Sequence, residues 1–168
     1  MGIKTYRPLT AGLRHRTGLT YEELTGDAPY KPLLEPRPKS GGRNNKGRLS
    51  TRHRGGGNKR MYRRIDFKRD KLDIPGLVET IEYDPNRSAF IALIKYRDGE
   101  RRYILAPQEL KAGQAILASD AVVDIVAGNS TRLRNIPLGT VIHNIELHRN
   151  AGGQMCRTAG AGAQILAK

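Results

Sequence analysis

Apolar and polar residues alternate along the middle of the chain, which predicts β-strands. The run 76–83 largely alternates, a pattern typical of a strand with one buried face. The segment 89–96 is more continuously apolar, which indicates a more deeply buried strand, and 101–106 is a third apolar run. Turn residues separate the runs at 84–88 and at 97–100, where an Asp-Gly pair favours a hairpin. These segments together predict an antiparallel meander.

Further apolar segments complete the predicted fold. Residues 113–118 follow the meander, and several short strands with little room for helices favour a small barrel. A second group, at 140–147, 154–158 and 164–168, supplies three more candidate strands. Three strands leave an unpaired edge, so we expect this last unit to be incomplete. The predicted fold class is mostly β.

The first 71 residues lack such patterning. Prolines punctuate 1–35, where extended chain is expected, although Thr20 to Gly26 could form one capped helical turn. Residues 36–71 hold 14 Lys or Arg against two acidic residues, and the glycines at 41–42 and 55–57 interrupt any helix. This segment cannot bury enough apolar surface to fold alone, so we expect it to order only when a polyanion neutralises it.

The charge of the chain is concentrated at its amino-terminal end. The 168 residues carry a formal net charge of +14, with an isoelectric point near 10.3, which indicates a polyanionic partner. Residues 1–71 contain 19 Lys or Arg and 6 Asp or Glu, whereas 72–168 contain 11 and 10. We therefore expect an extended basic arm at 1–71, a first barrel at 72–130 and the incomplete barrel at 131–168.

Several classes of protein and site are excluded by the residues present. One cysteine cannot form an internal disulfide, and neither a signal peptide nor an apolar run of the ~20 residues that a membrane span needs is seen, so we expect a soluble intracellular protein. The glycines at 55–57 lack the spacing of a phosphate-binding loop. His143, His148 and Cys156 leave a zinc ligand missing. We predict no catalytic residues, cofactor, metal, membrane contact or small-molecule substrate.

The arm has the chemistry that RNA binding requires. Arginine grips phosphate with two parallel hydrogen bonds and stacks on bases, glycine lets the backbone approach closely, and Asn or His can bond bases or the 2′-hydroxyl. The predicted RNA-binding residues of the arm are Arg43, Asn44, Asn45, Lys46, Arg48, Arg52, His53, Arg54, Asn58, Lys59, Arg60, Arg63, Arg64, Lys68 and Arg69.

Three stretches resemble a known family. They are 42–60 leading into 62–67; 83–89 with 96–100 and 102–107; and 143–146 followed by 151–154 and 157–160. Together they resemble the ribosomal protein L2 family of the large subunit, over essentially the whole chain. The resemblance implies that the first barrel is OB-like and the second SH3-like, both docked on 23S-type rRNA. The family's glycine-rich carboxyl-terminal tail near the peptidyl-transferase region has no counterpart in this chain, so no part in that centre is carried over.

The same resemblance adds RNA contacts outside the arm. Arg87, expected to project freely from the turn at 84–88, and Arg157 match positions of the family's motifs. Arg101 and Arg102 point to opposite strand faces, and of the two we retain Arg102 as a contact. Neighbouring ribosomal proteins are expected partners, and a contact with the small subunit is left open. The expected location is a bacterial cytoplasmic ribosome, in preference to an organellar one.

The leading hypothesis is a structural protein of the large ribosomal subunit that supports assembly, subunit association and translation. The rival is a free-standing OB-fold RNA chaperone of the cold-shock type, which stacks bases on an aromatic platform. Seven Tyr and two Phe, scattered along the chain, count against it. An RNA-processing enzyme is a third reading that no set of residues supports.

Overall fold

The structure is a computed structural model that describes residues 2–26 and 28–168. In this part of the chain the regular elements are short strands and two 3-10 turns, Lys31–Leu33 and Leu133–Asn135. The prediction of a mostly β fold is confirmed. Among the described residues no helix is long or apolar enough to cross a membrane.

Two antiparallel strand pairs lie in the amino-terminal part. Strand β1 (Ile3–Thr5) pairs with β2 (Thr17–Leu19), a hairpin that was not predicted from the sequence. Strand β3 (Leu34–Pro36) pairs with β4 (Met61–Arg63), with Pro36 opposite Met61. The capped helical turn considered at 20–26 is a non-helical turn: the Leu24 N–H donates to the Tyr21 carbonyl, but Tyr21 has a φ of +57°. The Thr20 Oγ1 donates to the Gly2 carbonyl at 3.1 Å instead of capping the turn.

The central sheet has four antiparallel strands in the order β7-β6-β5-β8. These are β5 (Gly76–Glu82), β6 (Ile91–Tyr96), β7 (Arg101–Leu105) and β8 (Ala115–Ile116), so the predicted meander is confirmed. A register shift between Val78 and Thr80 marks a bulge in β5, and such bulges bend a sheet.

Both faces of this sheet are covered, which explains the continuous apolar run in β6. Ala92 and Ile94 belong to one buried cluster, together with Val78 of β5. Ile91 and Leu93 face the opposite way, in a second cluster against which Tyr30, Leu33 and Ile65 pack. Burying one such aliphatic side chain contributes about 1.5–3 kcal/mol. The segments that contain Tyr30, Leu33 and Ile65, before and after the basic residues 37–60, therefore pack against the central sheet.

The carboxyl-terminal part is less regular than predicted. Strand β9 (Val141–Ile142) pairs with β10 (Ala163–Gln164), and Ile145 forms an isolated bridge with Met155. In the described part of the chain, the three predicted strands thus shrink to one two-residue ladder and one isolated bridge.

Candidate nucleic-acid interface

Residues 37–60 form a loop closed at both ends, here called the basic loop. It leaves β3 after Pro36 and enters β4 at Met61, and these two residues are directly paired. The loop contains nine Lys or Arg and no Asp or Glu. All its residues are exposed except the half-buried Gly41 and Gly42. The strand pair therefore presents an acid-free, solvent-exposed run of cations.

Local hydrogen bonds shape the far end of the basic loop. The Asn44 Oδ1 accepts the backbone N–H of Lys46 and of Arg48, at 3.0 Å each, which is an Asx-type turn. The Gly42 carbonyl accepts the N–H groups of Ser50 and Thr51 at 3.0 and 3.1 Å. Gly42 has a φ of +77°, and a Cβ there would lie 1.9 Å from the Thr51 oxygen, so no other residue fits.

Lys39 closes the glycine-rich part of the basic loop. Its Nζ donates hydrogen bonds to the carbonyls of Gly56, Gly57 and Asn58 at 2.8, 2.9 and 2.8 Å. All three ammonium protons are thereby committed inside the loop. Nothing in the sequence distinguishes this lysine from its neighbours, because its partners are backbone atoms.

Asn86 connects both ends of the basic loop to the turn at 84–88, next to the central sheet. Its Nδ2 donates to the Met61 carbonyl at 2.7 Å, and its Oδ1 accepts a hydrogen bond from the Arg37 guanidinium at 3.1 Å. Asn86 is held by Asp84, whose Oδ1 accepts the Asn86 N–H at 2.9 Å. The turn at 84–88 therefore positions the loop, a role that the sequence did not indicate.

The predicted contact residues fall into two groups, of which the larger lies on the basic loop. Those in the loop are all exposed. They are Arg43, Asn44, Asn45, Lys46, Arg48, Arg52, His53, Arg54, Asn58, Lys59 and Arg60.

The predicted contacts that follow the loop mostly have internal partners. The buried Arg63 donates to the Met61 carbonyl at 3.1 Å and lies 3.8 Å from Asp84. Arg69 donates to the Gly128 carbonyl at 3.0 Å, and burial lowers its pKa. Arg64 stays exposed, 3.3 Å from Glu35, and Lys68 is exposed.

Arg102 is the centre of an ion-pair network on β7. Its guanidinium contacts Glu100 at 2.6 Å and Asp66 at 3.0 Å, and it also bonds Asp70. Burial by itself would lower the pKa of Arg102, but these three carboxylates raise it well above its ordinary value. These carboxylates offset the positive charge of Arg102.

Arg87 and Arg157 come together around one aromatic ring. The expectation that Arg87 projects freely is wrong, because its Nε donates to the fully buried Asp84 at 2.5 Å and its side chain is only 16% exposed. Its guanidinium carbon lies 5.9 Å from the ring centre of Phe67. The guanidinium of the exposed Arg157 lies 4.8 Å from the same ring centre, and its Nη1 donates to the Gly153 carbonyl at 3.3 Å.

The rejected zinc set has no counterpart among the described residues. In residues 2–26 and 28–168, no group of three or more His, Cys, Asp or Glu side chains is arranged to hold a metal ion. Burial and the nearby Arg69 lower the pKa of His143, so its imidazole is neutral near pH 7.

A small mostly β body that carries an exposed, acid-free basic loop has the electrostatic character of a nucleic-acid-binding protein. Residues 30–118 match the family model described as Ribosomal Proteins L2, RNA binding N-terminal domain, and residues 126–168 match Ribosomal Proteins L2, C-terminal domain. These matches span well over half of the chain, which therefore belongs to the ribosomal protein L2 family, a family of structural proteins of the ribosome rather than enzymes. The resemblance read from the sequence is confirmed.

Proposed function

We propose that this chain is a structural protein of the large ribosomal subunit that binds 23S-type rRNA chiefly through the basic loop. The observation that carries the proposal is the contrast between the loop and the cations beyond it. Nine Lys or Arg lie in 37–60 without one acidic residue, whereas Arg63, Arg64 and Lys71, which follow the loop, each pair with a carboxylate. The loop therefore supplies most of the free positive charge of the part of the chain from Pro36 to Lys71.

Phosphate neutralisation is the mechanism by which such a loop binds. Each phosphate neutralised by a cation releases condensed counterions, which steepens the dependence of affinity on salt by about 0.7–0.9 in logarithmic slope. The exposed Asn and His side chains of the loop add donors and acceptors for bases and the 2′-hydroxyl. We propose that this contact supports subunit assembly, while subunit association and a small-subunit contact rest on the family resemblance.

The finer parts of the proposal follow the same resemblance. We propose that the chain is divided into a basic arm at 1–71, an OB-like barrel at 72–130 and an incomplete SH3-like barrel at 131–168. We also propose that the predicted contact residues bind rRNA. The proposed setting is a bacterial ribosome, with neighbouring ribosomal proteins as further partners.

Removal of the basic loop tests the proposal directly. Because Pro36 and Met61 are paired, a glycine-rich turn of about four residues can replace 37–60 without separating β3 from β4. Binding to a large-subunit rRNA transcript is then measured across a series of salt concentrations. We expect the shortened protein to lose at least about 10-fold in affinity at low salt, with a markedly shallower salt dependence.

A matched pair of triple variants separates charge from length. Arg48, Arg52 and Arg54 are changed to Gln in the loop, and Lys95, Arg97 and Lys111, which are also exposed, are changed to Gln on the body. The loop triple is expected to lower the salt slope by about 2–3, and the body triple much less. Equal losses from the two triples, or unchanged binding after loop removal, would refute the proposal.

A further inference from the structure

Three consecutive peptide units of the basic loop turn their carbonyls toward one ammonium group. The Lys39 Nζ donates to the carbonyls of Gly56, Gly57 and Asn58 at 2.8, 2.9 and 2.8 Å. A trans peptide is planar, with its N–H on the side opposite its carbonyl, and none of the described peptide bonds is cis. The N–H groups of residues 57, 58 and 59 therefore point away from Lys39.

These three N–H groups are free donors in exposed residues. Residues 54–60 are all exposed, and none of the three N–H groups donates to a residue that the structure describes. A carbonyl that accepts a hydrogen bond from a cation polarises its peptide unit, which makes the N–H on the other side a stronger donor. Successive free N–H groups of a tight turn are donors with which proteins bind phosphate.

The glycine before this turn is a separate indication that a ligand approaches here. Gly56 and Gly57 have φ values of +78° and +73°, a conformation that favours glycine. The φ of Gly55 lies outside that region, and a Cβ built on it would meet no atom within 4 Å. Neither the conformation nor the packing of Gly55 within this chain therefore requires glycine. A bare backbone at this position lets a ligand come close to the neighbouring N–H groups.

We propose that the N–H groups of residues 57–59 form a cradle for one RNA phosphate, and that Lys39 is its positioning residue. All three ammonium protons of Lys39 are used inside the loop, so it orients the peptide units without touching the phosphate. Donors that are held in one arrangement before RNA arrives reduce the ordering cost of binding. Arg54, Lys59 and Arg60 add positive charge in the neighbouring sequence. This inference rests on the proposed function, since the ligand is the same rRNA.

A comparison of two lysines of the basic loop tests the role of Lys39. Lys39→Met and the matched control Lys46→Met each remove one exposed cation, and both are titrated with the large-subunit rRNA transcript over a series of salt concentrations. Lys39→Met should lower affinity roughly 10-fold with little change in the salt slope, because the donors that it disorders are uncharged. Lys46→Met should instead lower the slope by up to about 0.9, with a smaller loss of affinity. If Lys39→Met lowers the slope by about one contact, or leaves affinity unchanged, the positioning role is overturned.

Amide hydrogen exchange examines the three donors directly. Exchange at residues 57–59 should slow when RNA binds to the wild type and to Lys46→Met, and it should slow far less in Lys39→Met. A role of Lys39 in overall stability alone would not remove protection from these three amides selectively. Absence of protection by RNA in the wild type would overturn the cradle.

A substitution of Gly55 tests the approach of the ligand without changing any charge. The added methyl group of Gly55→Ala has room within the protein, so the thermal midpoint should be unchanged. Affinity for the RNA should fall several-fold, because the methyl group intrudes on the space that the ligand needs. Affinity equal to that of the wild type would contradict the cradle.

Two controls keep this inference distinct from the proposed function. The triple variant of Arg48, Arg52 and Arg54 is titrated on the same RNA, and normal binding by that variant refutes the proposed function of the basic loop. Weakened binding by the triple variant, together with wild-type binding by Lys39→Met and Gly55→Ala, refutes only the cradle. Thermal midpoints are recorded for all variants, and Gly55→Ala remains decisive if Lys39→Met fails to fold.

Discussion

The buried carboxylate of Asp84 offers the sharpest test of how this fold is held together. Asp84 is fully buried. Its oxygens accept hydrogen bonds from Arg87 at 2.5 Å and from the Asn86 N–H at 2.9 Å, and Arg63 lies 3.8 Å away. The change Asp84→Asn keeps the size of the side chain, removes its charge and turns one acceptor oxygen into an NH2 donor. Two largely buried guanidinium groups then lose their counter-ion.

The expected cost follows from this geometry. Removing one partner of a buried ion pair typically destabilises a protein by about 3–5 kcal/mol, because the remaining charge is left without compensation. Arg87 retains 16% exposure of its side chain and can recover some hydration, so we expect the lower end, about 3 kcal/mol. For a chain of this length that corresponds to a fall in thermal midpoint of about 6–12 °C.

Urea unfolding followed by circular dichroism measures this cost, with calorimetry for the midpoint. Asp124→Asn is the matched control, since Asp124 is exposed and its side chain has no hydrogen bond or ion pair to any residue that the structure describes. The control should leave the free energy of unfolding close to that of the wild type. If Asp84→Asn is no more costly than the control, the carboxylate does not stabilise this turn, and the reasoning fails.

Two further predictions concern the basic loop and acid stability. Lys39→Met removes three hydrogen bonds to carbonyls of 56–58, so trypsin should cleave after Arg54 and Lys59 several-fold faster than in the control Lys46→Met; equal rates would contradict the closing role of Lys39. The Arg101 guanidinium lowers the pKa of Glu79, so the unfolded state binds more protons in acid, and the free energy of unfolding should fall as the pH drops below the ordinary value of 4.5. Urea midpoints at pH 7 and below should show this fall, and Glu79→Gln should reduce it; an identical pH dependence in the two proteins would refute the link.

The sequence predicts the central sheet well because that sheet is local. Strands β5, β6 and β7 follow each other through short turns, so alternation and turn residues within 76–106 contain most of the required information. The β1–β2 hairpin was missed because its strands have three residues each and lie 11 residues apart, too short for any periodicity. The carboxyl-terminal strands are shorter than predicted, because apolar alternation by itself does not provide a neighbouring strand to pair with.

The sequence predicted which residues make up the candidate site, but not which of its arginines form ion pairs with acidic residues. The basic segment 36–71, which contains the basic loop, was identified from its Arg, Asn and Gly content, whereas the β3–β4 pair that closes the loop was not predicted. Whether a given arginine is free depends on acids that fold next to it. Arg63 meets Asp84 across 21 positions and Arg102 meets Asp66 across 36, and no local pattern encodes such contacts. The role of Lys39 is equally hidden, because its partners are backbone carbonyls.

Closure of the basic loop changes how its charge can act. A free tail loses conformational freedom only when it binds, and that loss subtracts from affinity. Here the β3–β4 pair and Asn86, which bonds the Met61 carbonyl and Arg37, bring both ends together during folding, so part of the entropy is already lost before RNA arrives. The turn that carries Asn86 is in turn held by Asp84. We therefore expect Asp84→Asn to weaken the proposed RNA binding without changing any cation of the basic loop.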